Sequence, residues 1–202
     1  MCAEPLKVAV VGLGRWGNTL ASAIQDTENV KVVDCFTRTP EKRKAFTEKF
    51  DCAEQETYEA VLENPDVDAV VISAPNNKHS ELAVAAARAG KHVFVDKPIA
   101  ANLTDAKEMI KACDDAGVTL AVGASSRRLK GHRLFKKILD EGALGTIALA
   151  ETNYSNDRGL HYTPENWQWY ASGSPGGPLM QVAIHQVDNL MYLFGKVKKV
   201  SA

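Results

Sequence analysis

A chain of 202 residues, 45% of them hydrophobic, is long enough for one folded domain and part of a second. Its 24 Lys and Arg residues nearly balance 25 Asp and Glu residues, which argues against nucleic acid or a membrane surface as the main partner. The N-terminal residues lack the apolar centre of a signal peptide, and no stretch approaches about 18 continuous apolar residues, so we expect a cytoplasmic protein without a membrane span.

The first apolar run of the chain leads into a glycine-rich turn. Gly12, Gly14 and Gly17 have the G-x-G-x-x-G spacing and precede a helical pattern. Gly12 permits a tight turn, Gly14 leaves room for a pyrophosphate, and Gly17 lets the helix lie close to the strand. Because N–H groups at the start of such a helix bind anions, the turn predicts a dinucleotide site that also includes Arg15 and Trp16.

Short apolar runs recur along the first part of the chain, with helical patterns between them. This alternation predicts a doubly wound α/β domain of the Rossmann type, with a parallel sheet, over residues 1–122. The predicted strands are residues 8–11, 30–36, 69–72, 93–95 and 119–122.

The end of the second predicted strand is where such a domain chooses between NAD and NADP, about 20 residues beyond the glycines. Thr37 and Arg38 lie there, with Lys42 one helical turn further on. An acid at this tip would bind the ribose hydroxyls and repel a 2′-phosphate. Because the tip carries a threonine and cations instead, these residues favour NADP(H). NAD(H) is the alternative, with Asp34 as the ribose-binding acid, if the strand ends three residues earlier.

The loop after the third predicted strand lies on the cofactor side, because ligands in an open α/β sheet bind beyond the carboxyl ends of the strands. Ala74, Pro75, Asn76 and His79 are therefore candidates for ribose or nicotinamide contacts. A Pro-Asn turn followed by a histidine at a helix start explains the same residues without a ligand, and their spacing does not choose between the two.

A lysine follows the fourth predicted strand, in the segment VDKPI. Proline holds Lys97 near the same crevice, with Asp96 beside it, and partial desolvation there would suit a lysine for proton transfer. Lys97 is the first catalytic candidate, and a solvated surface lysine is the alternative.

After the fifth predicted strand the character of the sequence changes, and a second, partial α/β domain is predicted over residues 123–202. A basic amphipathic helix over residues 131–141 leads to a predicted strand over residues 146–154, and a long aromatic loop follows over residues 155–178. A further strand is predicted to begin at Lys198. One strand, one helix and a strand stub cannot close a core of their own, so we expect more of the protein or another chain to cover this edge.

A helix predicted over residues 179–194 carries Gln181, His185, Asp188 and Tyr192 at i, i+4, i+7 and i+11. At about 100° per residue these polar side chains share one face. Such a face suits a substrate site, although the pattern by itself favours the solvated side of an amphipathic helix. A metal site built from Gln, His and Asp is not favoured.

The cysteines form no metal or redox pattern in the sequence. Cys2, Cys35, Cys52 and Cys113 are widely separated, with no C-x-x-C pair and no histidine at metal-ligand spacing. We therefore expect reduced thiols and no bound metal.

Taken in order, the motifs resemble the glucose-fructose oxidoreductase, inositol dehydrogenase and MocA-like family. The resemblance covers essentially the whole chain and rests on the segments GLGRWG, SAPNNKH, AGKHVFVDKPIA, GALG and GGPLMQVAIHQVD. It implies an NAD(P)-dependent dehydrogenase or reductase that acts on a hydroxyl or keto carbon of a sugar, polyol or cyclitol. It also implies catalytic roles for Lys97 and His185, substrate contacts for Gln181 and Asp188, and a homo-oligomer for the full-length protein.

Three positions depart from the family pattern. Asp96 replaces the usual Glu, Pro178 stands in place of a third glycine, and Gln181 replaces an aspartate one turn before His185. Without that carboxylate an imidazolium at His185 is less stabilised. Members of the family also continue into a large open sheet that this chain does not include, so the alternative function is a truncated or non-catalytic NADP(H)-binding protein.

Overall fold

The computed structural model describes residues 4–201, which divide into two compact units after Gly123. Within residues 4–123, five parallel strands form one sheet in the order β2-β1-β3-β4-β5. The strands are β1 (Leu6–Val11), β2 (Val30–Phe36), β3 (Ala69–Ile72), β4 (His92–Asp96) and β5 (Leu120–Gly123). All five predicted strands are present, with small shifts at their ends.

Helices cover both faces of this sheet. They are α1 (Arg15–Gln25), α2 (Pro40–Phe50), α3 (Tyr58–Glu63), α4 (His79–Arg88) and α5 (Leu103–Ala116), with a 3₁₀ turn at Asn76–Lys78 before α4. Ala9 and Val11 of β1 pack in one apolar cluster, whereas Val8 and Val10 pack in another. Because successive side chains of a strand point to opposite faces, the sheet is buried on both sides, and the predicted doubly wound α/β fold is confirmed.

Local side-chain bonds mark where some of these helices begin. The Thr57 hydroxyl accepts the Ala60 N–H at 3.1 Å before α3, and the Asn102 side-chain oxygen accepts the Asp105 N–H at 2.9 Å before α5. Such bonds pair N–H groups that have no partner within the helix itself.

The second unit, residues 124–201, contains two longer helices in its described part. They are α6 (Lys130–Asp140), preceded by a 3₁₀ turn at Ser125–Arg128, and α7 (Ile184–Phe194). Between the two helices lie 3₁₀ turns at Arg158–His161 and Trp167–Trp169 and a π-helical turn at Leu179–Ala183. Residues 146–154 and 198–201 have no regular secondary structure, so the strands predicted there are wrong. A strand must pair its N–H and C=O groups with a neighbour, and residues 124–201 contain no strand that could be one.

The described residues of the second unit also lack a buried apolar centre. Its buried side chains are the polar Ser174 and Asn189, while Leu149 and Leu179 are 78% and 73% exposed. This agrees with the expectation that these elements cannot close a core alone. Between residues 4 and 201, no helix has the length and hydropathy needed to cross a bilayer.

Candidate functional site

The turn between β1 and α1 forms a cradle that is open on one side. Gly12 has a φ of +95°, and a Cβ atom there would lie 2.4 Å from the Ser73 carbonyl oxygen. A Cβ atom on Gly17 would lie 2.1 Å from the Gly12 carbonyl oxygen, so both positions exclude a side chain. Gly14 is exposed and has no neighbouring atom within 4 Å of its Cβ position. The turn is therefore packed at two glycines and open at the third.

Helix α1 begins at this open position. Gly14 is its N-cap and makes no side-chain capping bond, and the first helical turn carries no acid. The N–H groups that begin a helix have no partner within the helix, and the helix dipole makes this end positive. Arg15 and Trp16, both exposed, are its first two residues. This end of α1 is suited to an anion such as a pyrophosphate.

The carboxyl ends of β3 and β4 adjoin the same turn. Ser73, just beyond β3, donates its N–H to the carbonyl of Val11 at 2.8 Å. At the end of β4, Asp96 is half-buried, and the nearby Trp16 side chain acts to lower the pKa of its carboxyl group. Burial raises the pKa of Asp96 above its ordinary value, although the charge and main-chain N–H of Lys97 oppose this shift. One buried oxygen of Asp96, Oδ1, has no hydrogen-bond partner among the described residues.

Asn76 is a second buried polar group at this edge of the sheet. It is 4% exposed, and its Nδ2 donor has no acceptor within the part of the chain that the structure describes. A buried donor left unpaired costs about 1–3 kcal/mol, which a ligand oxygen would recover. The open Gly14 and the unpaired Asn76 amide are the features that fit a bound dinucleotide.

His79 is a buried histidine at the start of α4. Its ring is 1% exposed and lies between two main-chain carbonyls, with Nδ1 2.9 Å from Pro98 O and Nε2 2.9 Å from Ala74 O. Carbonyl oxygens only accept, so both bonds form together only when the ring carries two protons. The side chain thus ties the loop after β3 to the loop after β4 instead of facing a ligand, and the predicted direct contact with ribose or nicotinamide would require one of these bonds to break.

Lys97 directly follows β4 and is half-buried. Its peptide bond to Pro98 is cis. Because β3 and β4 are parallel neighbours, Lys97 and Asn76 both follow strands at the same edge of the sheet. The structure therefore places the glycine turn, Asn76, Asp96 and Lys97 at the same edge of the sheet.

The tip of β2 carries the residues predicted to select the cofactor. Arg38 and Lys42 are exposed, and Thr37 is partly exposed. The Thr37 carbonyl accepts a hydrogen bond at 2.9 Å from Nη1 of Arg43, a buried guanidinium whose Nε lies 3.9 Å from the Glu54 carboxylate. Arg43 thus anchors the tip of β2 through the Thr37 carbonyl, while Arg38 and Lys42 remain exposed.

Asp34 is occupied by internal donors. It is 0% exposed, and β2 continues to Phe36 beyond it. Its carboxylate accepts bonds from Gln55 Nε2 at 2.8 Å, Asn64 Nδ2 at 2.7 Å and the Cys35 N–H at 2.8 Å. The alternative in which the strand ends early and Asp34 binds ribose is therefore not what the structure shows.

The predicted helix over residues 179–194 is divided in two. Gln181 lies in the π-helical turn, where the residues advance by a smaller angle than in an α-helix, so it does not continue the regular α-helical stripe. Its Nε2 donates to the Ser174 hydroxyl at 2.9 Å. His185, at the start of α7, is half-buried.

Asp188, predicted to contact substrate, is paired with an arginine. Arg127 donates from Nε to one carboxylate oxygen at 2.8 Å and from Nη2 to the other, and its guanidinium lies 5.6 Å from the centre of the Tyr192 ring. The hydrogen bonds to Asp188 raise the pKa of Arg127 further, so the guanidinium stays charged. Next to it, Asn189 Nδ2 donates to the Ser126 hydroxyl at 3.0 Å. These bonds hold α7 against the 3₁₀ turn before α6.

Sequence reasoning missed two of these anchors. Arg43 and Arg127 carry no local pattern that distinguishes them from solvated arginines, and Arg127 is 61 residues away from Asp188. Neighbouring arginines, Arg38 and Arg128, are exposed. Only the fold shows which arginine of each pair is engaged.

Two parts of the chain match known families. Residues 6–124 match the family described as "Oxidoreductase family, NAD-binding Rossmann fold", and residues 132–202 match the "GFO/IDH/MocA C-terminal domain". The agreement extends over both structural units.

Similar proteins include enzymes that act on sugar-like compounds. The 2,7-anhydro-N-acetylneuraminate hydratase of Escherichia coli is 29% identical, over 95% of this chain and 50% of its own length. The myo-inositol 2-dehydrogenase of Thermotoga maritima is 32% identical, over 95% of this chain and 55% of its own length. A crystal structure of a proposed NADPH-dependent oxidoreductase from Desulfitobacterium hafniense is 40% identical, with a TM-score of 0.90, over 96% of this chain and 56% of its own.

The chain thus spans about half the length of the curated relatives it matches. The family match nevertheless covers the glycine turn, the ends of β3 and β4, and the whole of α7. The chain belongs to the Gfo/Idh/MocA oxidoreductase family, whose N-terminal domain is an NAD-binding Rossmann fold.

Proposed function

We propose that this chain belongs to an NADP(H)-dependent dehydrogenase or reductase that acts on a hydroxyl or keto carbon of a sugar, polyol or cyclitol. The observation that carries the proposal is the turn that is packed at Gly12 and Gly17 and open at Gly14. Residues 1–122 are the cofactor domain in this proposal, and residues 123–202 are part of the substrate domain.

Each part of the cofactor has a candidate partner on this chain. The N–H groups at the start of α1 hold the pyrophosphate, and the unpaired Asn76 amide donates to a ribose or nicotinamide oxygen. Arg38 and Lys42 bind the 2′-phosphate by charge. When bound, the nicotinamide supplies a carbon that accepts or delivers a hydride.

The choice of NADP(H) has a direct test. Arg38→Ala and Lys42→Ala should each weaken NADPH binding roughly tenfold, since each removes a charge-assisted contact, and should leave NADH binding unchanged. Lys44→Ala removes an exposed lysine from the same helix and is the matched control. Fluorescence titration gives all these dissociation constants, and tighter binding of NADH than of NADPH by the unaltered chain would contradict the assignment.

Two side chains are proposed to handle the substrate hydroxyl, following the family resemblance. The His185 imidazole takes the hydroxyl proton, and the Lys97 ammonium donates a hydrogen bond to the oxygen as negative charge develops on it. The Gln181 amide contacts a further substrate hydroxyl. Asp188 has a positioning role in this proposal, because Arg127 already occupies both of its carboxylate oxygens.

Turnover tests the role of Lys97. In a form of the protein that turns over a sugar, polyol or cyclitol, Lys97→Ala should lower kcat at least about 100-fold, the scale of a lost proton-handling group, while NADPH still binds. Lys107→Ala, an exposed lysine of α5, is the control and should leave kcat unchanged. An unchanged kcat for Lys97→Ala would refute the proposed role.

A second candidate function is a non-catalytic NADP(H)-binding protein, a sensor or a fragment. Gln181 in place of an acid favours it, as does the absence of a buried apolar side chain among the described residues 124–201. A screen of sugars, polyols and cyclitols with NADP⁺ separates the two functions by absorbance at the nicotinamide band. Because a hydratase occurs among the relatives, the screen should also detect products by mass.

A further inference from the structure

The structure brings together two cysteines that lie far apart in the sequence. Cys35 lies in β2 and is 0% exposed, whereas Cys52 follows α2 and is partly exposed. Cys52 packs against the apolar cluster that contains Cys35, and each thiol is the largest influence on the pKa of the other. Among residues 4–201, no group of three or more His, Cys, Asp and Glu residues is arranged to hold a metal ion, and Cys35 and Cys52 are free cysteines.

Main-chain bonds fix this approach. The Ala53 N–H donates to Val33 O and the Gln55 N–H donates to Cys35 O, both at 3.0 Å, so the chain after Cys52 runs beside β2. Residues 52–55 belong to no helix or strand, and this leaves Cys52 free of the helical bonds that would resist a small shift towards Cys35. Forming a disulfide requires such a shift, because bonded sulfur atoms lie at about 2.05 Å, closer than the sulfur atoms of two free thiols.

We propose that Cys35 and Cys52 form a reversible disulfide when the protein meets a peroxide. In the first step the Cys52 thiolate attacks one peroxide oxygen, the O–O bond breaks, and hydroxide leaves a sulfenic acid on Cys52. In the second step the Cys35 sulfur attacks that sulfenic sulfur and loses its proton, the S–S bond forms, and the S–O bond breaks to release water. Two electrons pass from the thiols to the peroxide, which is reduced to water.

The surroundings of the two thiols determine which one reacts first. The neighbouring Cys52 thiol, together with burial, raises the pKa of Cys35. The Cys35 thiol in turn lowers the pKa of Cys52, although burial and the carboxylates of Asp34, Asp51 and Glu54 act against this. Since the thiolate is the nucleophile, and Cys52 is also the accessible thiol, attack begins there. The inference goes beyond the proposed function and does not depend on it.

Peptide mapping after oxidation tests the proposal. The reduced full chain is treated with hydrogen peroxide, remaining thiols are alkylated, and the protein is digested with trypsin, which cleaves between the two cysteines at Arg38 and Lys49 among others. We expect the intact chain to lose the mass of two hydrogen atoms and the digest to contain a peptide that joins Cys35 to Cys52. Dithiothreitol should reverse both changes.

Cysteine variants supply the controls. Cys52→Ala should abolish the cross-link, and since Cys52 is partly exposed this variant is expected to fold, which circular dichroism checks. Cys113→Ala, which removes a thiol of α5, should retain it. Separate alkylation of Cys35 and Cys52 after oxidation would overturn the proposal, and so would a disulfide to Cys113 or to Cys2, which lies outside the described residues.

Discussion

Adding one methyl group at Gly14 separates a ligand role from a folding role. Gly14 has a φ of −72°, which any residue adopts, and open space around its Cβ position. Gly14→Ala therefore costs only a weaker N-cap, about 1 kcal/mol or less. The same methyl group occupies the side of the turn where a pyrophosphate would approach. We predict that NADPH affinity falls at least about tenfold, equivalent to roughly 1.4 kcal/mol, in a protein that remains folded.

Gly17→Ala should have the opposite profile. Its Cβ atom would lie 2.1 Å from the Gly12 carbonyl oxygen, a main-chain atom that cannot rotate away. Overpacking of this kind costs about 1–3 kcal/mol or more. The Gly17→Ala variant should therefore have a lower free energy of unfolding than the Gly14→Ala variant. Chemical denaturation measures this difference, and fluorescence titration measures NADPH affinity.

Gly131→Ala supplies the matched control for both glycines. This glycine lies in α6 with nothing within 4 Å of its Cβ position, so the change should leave NADPH affinity unaltered. A folded Gly14→Ala protein that binds NADPH as tightly as the unaltered chain would refute the cradle. Equal stability of the Gly14 and Gly17 variants would refute the packing argument.

Three further predictions concern buried or paired charges. Asp34→Ala leaves two side-chain amides and one main-chain N–H without their acceptor, so the free energy of unfolding should fall by about 2–3 kcal/mol. The ratio of NADPH to NADH affinity should stay constant in this variant. A changed ratio would mean that Asp34 contacts the cofactor. Burial raises the pKa of Asp96 in the folded chain, so its contribution to stability is fully present below its ordinary pKa and is lost as pH rises through the raised value. Asp96→Asn should therefore gain stability relative to the unaltered chain as pH rises from about 4, and denaturation curves with the same pH dependence would contradict this. A double-mutant cycle of Arg127→Ala and Asp188→Asn should give a coupling of about 1 kcal/mol in the free energy of unfolding. This is less than a buried pair would give, because the two side chains are 35% and 18% exposed. A coupling near zero would mean that solvent screens the pair.

The first unit could be predicted from sequence because its signals are local. Alternating apolar runs and helical patterns reveal buried parallel strands, and the spacing of Gly12, Gly14 and Gly17 specifies the turn between a strand and a helix. The order of the strands then places Asn76 and Lys97 at one edge of the sheet. These predictions depend on short-range periodicity and on one general rule about parallel sheets.

Contacts between distant residues could not be predicted in the same way. The pairing of Arg127 with Asp188 and of Cys35 with Cys52 depends on how the chain folds back, and no local spacing encodes it. The strand predicted over residues 146–154 failed for a related reason, since alternation indicates a strand only where a partner strand supplies the hydrogen bonds. The burial of His79 between two carbonyls could not be predicted either, because such a ring has the same sequence signature as a ligand-binding histidine at a helix start.

NADP(H) is proposed to lie against the turn between β1 and α1. The most direct test is to titrate the ¹⁵N-labelled chain with NADPH and to follow each backbone amide by NMR. We expect saturable chemical-shift changes at the amides of Gly12, Gly14 and Arg15 and in the loops that contain Asn76 and Lys97. The amides of α5 should be unaffected. Shifts concentrated in α5, or none at Gly14 while NADPH binds, would contradict it.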